Sequence, residues 1–234
     1  MCGRFVSSST PDEVASYFDA HPPPLESSIE PSWNVAPTDD VYVVVEREGI
    51  REVAGHHWGL VPFWAKDPKI GSRMINARAE SLTTKNAFKA AFEHRRCIVP
   101  ADGFYEWRKV PGQKTKQPYF IYRADGEPLA FAGLWERWRA PSGLAGETLR
   151  STTIVTTEAN ATMDPIHDRM PVILPRSAWA RWLDPHESDV ESLSELLVPA
   201  ADDLLTMHPV STDVGNVRNQ GAQLTDPLDG SAAG

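Results

Sequence analysis

Cys97-Ile98-Val99-Pro100-Ala101-Asp102-Gly103-Phe104-Tyr105-Glu106-Trp107 decides the class of fold. β-Branched and apolar residues fill its first part and aromatics its last. Asp102-Gly103 between them is a turn pair, so the stretch reads as two strands, Cys97-Ile98-Val99 and Phe104-Tyr105-Glu106-Trp107. Further strands are predicted downstream at Tyr119 to Arg123, Leu129 to Trp135, Thr152 to Thr156 and Met170 to Leu174. Upstream, Val41 to Glu46 and Arg51 to Trp58 flank Glu48-Gly49 and predict a hairpin. Helices are few and short. Thr10 before Pro11-Asp12-Glu13 supplies a hydroxyl cap, a first-turn proline and two acids, opening a helix that ends near Phe18. Pro22-Pro23-Pro24 enforces an extended loop. Thr84 to Phe92, with Phe88 and Phe92 four apart, reads as an amphipathic helix, and Ser177 to Leu183 and Val190 to Leu197 as two more. Short strands mixed irregularly with short helices predict an α+β protein, not a doubly wound sheet. Ala140 to Glu147 reads as an exposed insertion, and Gly230 to Gly234 as a flexible tail.

The chain has 234 residues, enough for one large domain with a real core. Its 32 acids and 23 bases give −9. Spread evenly, that charge would oppose nucleic acid, since neutralising phosphate needs Lys and Arg. It is not spread evenly. Residues 181–234 hold 10 acids and two bases, whereas residues 63–123 hold 13 bases and five acids. The −9 therefore conceals a basic centre of +8 and an acidic end of −8. A solvated surface without a partner is the plain alternative. The polarity predicts a local basic groove, with the acids on the opposite side or in the tail. Two cysteines, Cys2 and Cys97, make neither a disulfide framework nor the usual zinc site, and the histidines are scattered, so no metal and no cofactor are expected. No apolar run is long enough to span a bilayer and the N-terminus has no signal-peptide core, which predicts a cytoplasmic location.

The second residue carries the chemistry. Were Met1 removed, Cys2 would present a thiol and an α-amine on adjacent carbons, with reference pKa values of about 8.5 and about 7.8. A 1,2-aminothiol condenses with an aldehyde: the amine forms an imine and the thiol closes a five-membered thiazolidine. It can also serve as an N-terminal nucleophile in amide cleavage. The plain alternative is a small buried residue at the start of a strand. Three other groups look like parts of a site. Asn76, Arg78 and Glu80 alternate along Asn76-Ala77-Arg78-Ala79-Glu80 and would share one face of an extended segment. Glu106 lies among aromatics, a setting suited to proton transfer. His167 precedes Asp168-Arg169-Met170-Pro171. Each has an ordinary alternative: a salt bridge, a strand-edge carboxylate, a capping imidazole.

Seven motifs in series give the set a context. Met1-Cys2-Gly3-Arg4-Phe5, Trp33-Asn34-Val35-Ala36-Pro37-Thr38, Trp58-Gly59-Leu60-Val61-Pro62, Ile75 to Glu80, Cys97 to Trp107, Ile166 to Pro171, and His208-Pro209-Val210-Ser211 with Val214-Gly215-Asn216-Val217 together resemble the SOS-response-associated peptidase (SRAP) family. The resemblance covers about residues 2–225, implying one domain over 1–225, mature from Cys2, and a tail at 226–234. It implies a single compact α+β domain with a β-barrel-like mixed-sheet core, short peripheral helices and a basic groove leading to Cys2. It further implies a sensor and shield of abasic sites in single-stranded DNA, in which Cys2 attacks the ring-opened sugar and forms a thiazolidine DNA–protein crosslink. On that resemblance Asn76 orients Cys2 or the sugar, Glu106 is the general acid/base, and His167 assists ring opening. Arg4, Arg78 and Arg169 hold flanking phosphates, and Asn34 and Pro37 belong to the same DNA-binding set. Trp64, beside Pro62 and Lys66 in a loop, is the candidate for stacking or wedging at the lesion, whereas Trp58 and Trp107 are expected in the core. The implied partner is abasic single-stranded DNA, with no membrane and a monomeric protein. The implied activity is self-crosslinking with autocatalytic Met1 removal and lyase-type chemistry. An N-terminal-nucleophile thiol peptidase or amidase, or a non-covalent single-strand-binding module, are the competing readings.

Overall fold

Asp102-Gly103 is a corner between two sheets. In the computed structural model, which describes residues 2–112, 114–140 and 148–228, the strand before it and the strand after it do not pair. The Asp102 carboxylate ties down the corner by accepting from the backbone and hydroxyl of Ser8 at 2.6 and 2.8 Å and of Ser9 at 3.1 and 2.6 Å. Gly103 is required there, because a Cβ would lie 2.4 Å from the Phe120 ring and 2.8 Å from the Ile121 carbonyl oxygen.

Among the described residues twelve strands form two sheets: β1 (Phe5–Ser7), β2 (Ser32–Val35), β3 (Asp40–Arg47), β4 (Ile50–Trp58), β5 (Asn76–Arg78), β6 (Arg96–Ala101), β7 (Gly103–Arg108), β8 (Gln117–Arg123), β9 (Leu129–Arg139), β10 (Thr148–Glu158), β11 (Arg169–Pro171) and β12 (Leu205–Pro209). The first sheet has the order β12-β8-β7-β1-β2. In the second, β10-β4-β3-β6-β9 runs in sequence and β9 pairs back onto β10, closing a five-stranded barrel. The predicted hairpin is β3–β4, with Arg47 opposite Ile50 and Glu48 and Gly49 at φ +52° and +77°, the left-handed pair that a two-residue hairpin turn needs. Strand β10 is the hub. Its first half completes the barrel against β9 and β4, and its second half carries β5 and β11.

Val41, Val43, Val45, Trp58, Val99, Phe131 and Ile154 belong to one apolar cluster with Cys2, Phe5, Phe104 and Ile121 of the first sheet. Phe5 meets Trp58 and Phe131 edge-on at 5.0 and 6.3 Å, so the first sheet packs across one end of the barrel. A second core lies on the barrel's outer side, where Tyr42, Val44, Ile98 and Leu134 meet the helices through Val14, Phe18, Phe92, Trp179 and Trp182. The helices are α1 (Pro11–Tyr17), α2 (Lys89–His94), α3 (Trp179–Leu183) and α4 (Val190–Ser194). α1 opens on the predicted Thr10 cap, which the structure completes as a capping box, Thr10 accepting from Glu13 N and Glu13 from Thr10 N. α2 is shorter than predicted: residues 84–88 form turns, with Phe88 N bonding Lys85 O, though Phe88 and Phe92 are both buried. β11 likewise ends at Pro171, leaving Ile173 as an isolated bridge to Phe131. The architecture is a mixed α+β fold in one compact domain, as predicted. Backbone bonding continues to Leu228, whose N–H meets Pro209 O at 3.0 Å. The predicted insertion at 141–147 and the tail residues 229–234 lie outside the described residues.

Candidate functional site

Pairing of β1 with β7 determines where Cys2 sits. Phe5 lies opposite Phe104 and Tyr105 N donates to Arg4 O at 2.9 Å, so the chain preceding Phe5 runs back alongside Glu106 and Trp107. Strand β5 reaches the same place from β10: Asn76 pairs with Ile154 and its Nδ2 donates to the Cys2 carbonyl oxygen at 2.8 Å. The other amide atom, Asn76 Oδ1, is buried with no hydrogen-bond partner among the described residues. Glu106 is buried in β7, opposite Tyr119. The Cys2 thiol is fully buried. Burial first, and the charge of Glu106 second, push its pKa well above the usual thiol range. The thiol is therefore protonated at neutral pH, not partly ionised as its reference value suggests. Cys97 is also buried inside the barrel, 3.4 Å from Thr152 Oγ1, with its pKa pushed up to about 12 by burial. It plays no part at this end.

His167 closes a turn pinned by Asn160, whose Oδ1 accepts from Met163 N at 2.9 Å. Met163 and Met170, on either side of His167, are buried in the cluster that holds Cys2, which brings this turn to the same end of the barrel. His167 Nδ1 lies 3.0 Å from Arg169 N and 2.8 Å from Asp168 Oδ1.

The predicted phosphate-binding set divides. Arg78, the last residue of β5, is exposed, and its guanidinium makes no hydrogen bond or ion pair among the described residues. Trp64 is 49% exposed beside Phe63 at 58%, an open aromatic pair near α2. Arg169 is committed: it forms a two-pronged pair with Glu80 at 2.9 and 3.0 Å and donates to Thr156 O at 2.7 Å. That pairing holds the Glu80 carboxyl below its ordinary value. Arg4 is likewise engaged. Its Nη1 donates to Asn34 Oδ1 at 2.8 Å and Val214 O at 2.9 Å, and its guanidinium stands 5.9 Å over the Trp107 ring. Burial lowers its pKa.

Asn34 is a correction. It is fully buried, and its Nδ2 donates to Val214 O, Asn216 O and Asn219 O at 3.3, 3.0 and 3.0 Å while Oδ1 accepts from Arg4. With both ends of the amide spent on the protein, it braces β2 and Arg4 instead of meeting a phosphate. Pro37 is half-buried in a turn where Asp39 N bonds Ala36 O at 3.1 Å and Thr38 N bonds Trp58 O at 2.9 Å. Thr38 has φ +79°, which is strained for a β-branched residue. Sequence reasoning gave no role to Thr38 or to the 214–219 carbonyls. The Val214-Gly215-Asn216-Val217 motif was the available signal.

The basic centre also needs correction. Arg96 is buried and donates to five carbonyls, those of Phe92, Glu93, Trp182, Asp184 and Glu187. Arg95 pairs with Glu136 at 2.8 Å, and Arg123 pairs with Asp125. These three of the 13 bases are structural. Nor are the C-terminal acids all remote, since Asp202 caps Ala161 N at 2.8 Å beneath the His167 turn. Trp58 is core as predicted, and Trp107 is half-buried.

A closed barrel with a second sheet across one end, and a residue-2 thiol, an amide and a carboxylate gathered there, defines a single-domain α+β protein with a site built around Cys2. A family model described as SOS response associated peptidase (SRAP) matches residues 1–217, and the chain belongs to that family. It is 41% identical over 226 residues to abasic site processing protein YoaM of Bacillus subtilis (97% of this chain, 98% of the relative). It is 38% identical over 242 residues to abasic site processing protein YedK of Escherichia coli (97% and 100%). A crystal structure of a protein from Bacteroides thetaiotaomicron superposes with a TM-score of 0.86 at 26% identity, covering 97% of this chain and 99% of that one.

Proposed function

We propose that the protein processes abasic sites in single-stranded DNA by becoming covalently joined to them through Cys2. The observation that carries the reading is the convergence on residue 2. Asn76 grips its carbonyl at 2.8 Å, and the charge of Glu106 is felt at its thiol. Names of the curated relatives support abasic DNA as the partner.

In this reading Met1 is first removed, freeing the α-amine. The amine adds to the C1′ aldehyde of the ring-opened sugar and water leaves, giving an imine. The thiol then adds across the carbon–nitrogen double bond and closes the thiazolidine, its proton passing to the ring nitrogen. Because the buried thiol is protonated, ring closure needs a proton acceptor, and Glu106 is the group for that transfer and for its reversal. His167 assists sugar ring opening, and Asn76 holds the backbone of residue 2 against the sugar. Arg78 is the phosphate contact with a guanidinium to spare, and Trp64 the stacking surface. Arg169 reaches a phosphate only by exchanging Glu80 for it. Cytoplasmic action on damaged DNA as a monomer follows from the same reading.

Incubating processed protein with an oligonucleotide bearing one abasic site should give a heat-stable adduct on a denaturing gel, absent with the intact strand. An adduct undiminished in Cys2→Ala, or in protein retaining Met1, would exclude the mechanism. Salt-sensitive retention of both strands without an adduct would leave only non-covalent binding.

A further inference from the structure

The barrel end away from Cys2 carries a second cluster. Inward-facing positions recur every second residue along each strand. Those that hold Val45, Ala54, Trp58 and Thr152 continue to Arg47 on β3, Glu52 and His56 on β4, Trp135 and Arg137 on β9, and Arg150 on β10. Arg150 is directly opposite Arg137. The Arg47 guanidinium stands 5.4 Å over Trp135, and the His56 ring lies 5.6 Å from the same indole. None of the three guanidiniums has a salt bridge among the described residues; Glu52 is the one acid close enough to favour Arg150's charge, against repulsion from Arg47 and Arg137. His56 is 1% exposed, and both its ring nitrogens are buried with no hydrogen-bond partner. Buried polar groups are almost always paired, so an imidazole with two orphan nitrogens facing arginines calls for a ligand. Burial, then Arg150 and Arg47, push its pKa down to about 3. The neutral ring therefore has one N–H to donate.

A cleft adjoins the cluster at Arg137 and Arg150. Among the described residues β4 and β10 pair only at Ser151–His57 and Thr152–Trp58. Beyond those pairs Ala54, Gly55 and Arg150 line an open cleft of about 880 Å³ that also reaches Arg137 and three acids, Glu26, Asp40 and Glu52. Arg150 is four residues before Ile154, the partner of Asn76, which places it ~13 Å along β10 from the Cys2 end.

We propose that this barrel mouth is a second binding site, taking a phosphate dianion between Arg47, Arg137 and Arg150, with the His56 N–H as the innermost donor. Of the carboxylates lining the cleft, Glu26, Asp40 and Glu52, only Glu52 acts on Arg150 and none on His56, so around the His56 ring the three guanidiniums prevail, a setting matched to a phosphate monoester or inorganic phosphate. The site stands independently of the reaction at Cys2.

The test follows the His56 ring by long-range proton–nitrogen NMR, assigned with His56→Gln, at low ionic strength. Titrants are inorganic phosphate and pentathymidylate with and without a 5′-phosphate. The proposal expects a saturable shift of the His56 signals with inorganic phosphate. A strand end as the natural source adds a shift with the 5′-phosphorylated oligonucleotide and none with its unphosphorylated form. The double variant Arg137→Gln/Arg150→Gln, altered at exposed positions, should bind at least about tenfold more weakly. Unmoved His56 signals with inorganic phosphate and with the 5′-phosphorylated strand, or unchanged affinity in the double variant, would overturn it.

Discussion

Glu106 and His56 are both buried titratable side chains on barrel or barrel-capping strands, and each makes a separate prediction. Glu106→Gln keeps the shape of the site but loses the proton acceptor. Crosslink release, followed by transfer to excess fresh abasic oligonucleotide, should slow by about 100-fold; an unchanged rate would remove Glu106 from proton transfer. His56 bears on stability. Folded, it remains neutral down to about pH 3, whereas its unperturbed value is 6.5. Between those values the unfolded chain holds the extra proton, so stability is full above about pH 6.5 and falls as pH drops toward 3, by about 1.4 kcal/mol per pH unit. Urea denaturation of His56→Phe at pH 6.5 and 4.5 should show a slope shallower by that amount. Cys2, Asn76 and Glu106 were legible in the sequence because each lies in a short motif whose chemistry is local. The engagement of Arg169 was not, because it depends on Glu80 arriving from a turn 89 residues earlier.

At the scale of elements, strands read well where side-chain alternation and turn chemistry coincide. The β3–β4 hairpin is the example, since Glu48-Gly49 needs only local backbone preferences. α1 was equally legible, from its Thr10 cap, its first-turn proline and the acids beside it. α2 was overextended, because the apolar spacing of Phe88 and Phe92 is met with only the second residue inside the helix. The turn after Asp102 showed itself as a turn, but not as a crossing between sheets. That outcome is set by Ser8 and Ser9 supplying four hydrogen bonds and by Phe120 filling the space above Gly103. The brace between β2 and the 214–219 segment predicts that Asn34→Ala, which removes the amide's bonds to three carbonyls and to the Arg4 guanidinium, costs about 3 kcal/mol by urea denaturation. A loss below about 0.5 kcal/mol would mean the brace is dispensable.

Across the whole molecule, the barrel-like core was expected from the family resemblance, but composition and strand pattern alone did not show how it closes. Closure rests on the register of β9 with β10, with Arg139 opposite Thr148, and on β4 meeting β10 in parallel over only two residues. The charge polarity was legible, but part of its basic half is structural, as Arg96 shows. For Arg78→Ala, DNA binding should weaken and the salt slope should fall by about one unit of log Kd per log salt. Fluorescence anisotropy over a salt series measures it, and equal slopes would take Arg78 out of the interface. The placement of β1 has a kinetic consequence. β1 is held between β2 and β7, and β7 begins about 100 residues later. At roughly 5–20 residues per second, the nascent chain keeps its first residues undocked for on the order of 5–20 s before β7 has been made. Any aminopeptidase acting on Met1 has that interval as its natural window, after which docking of β1 withdraws residue 2 from solvent.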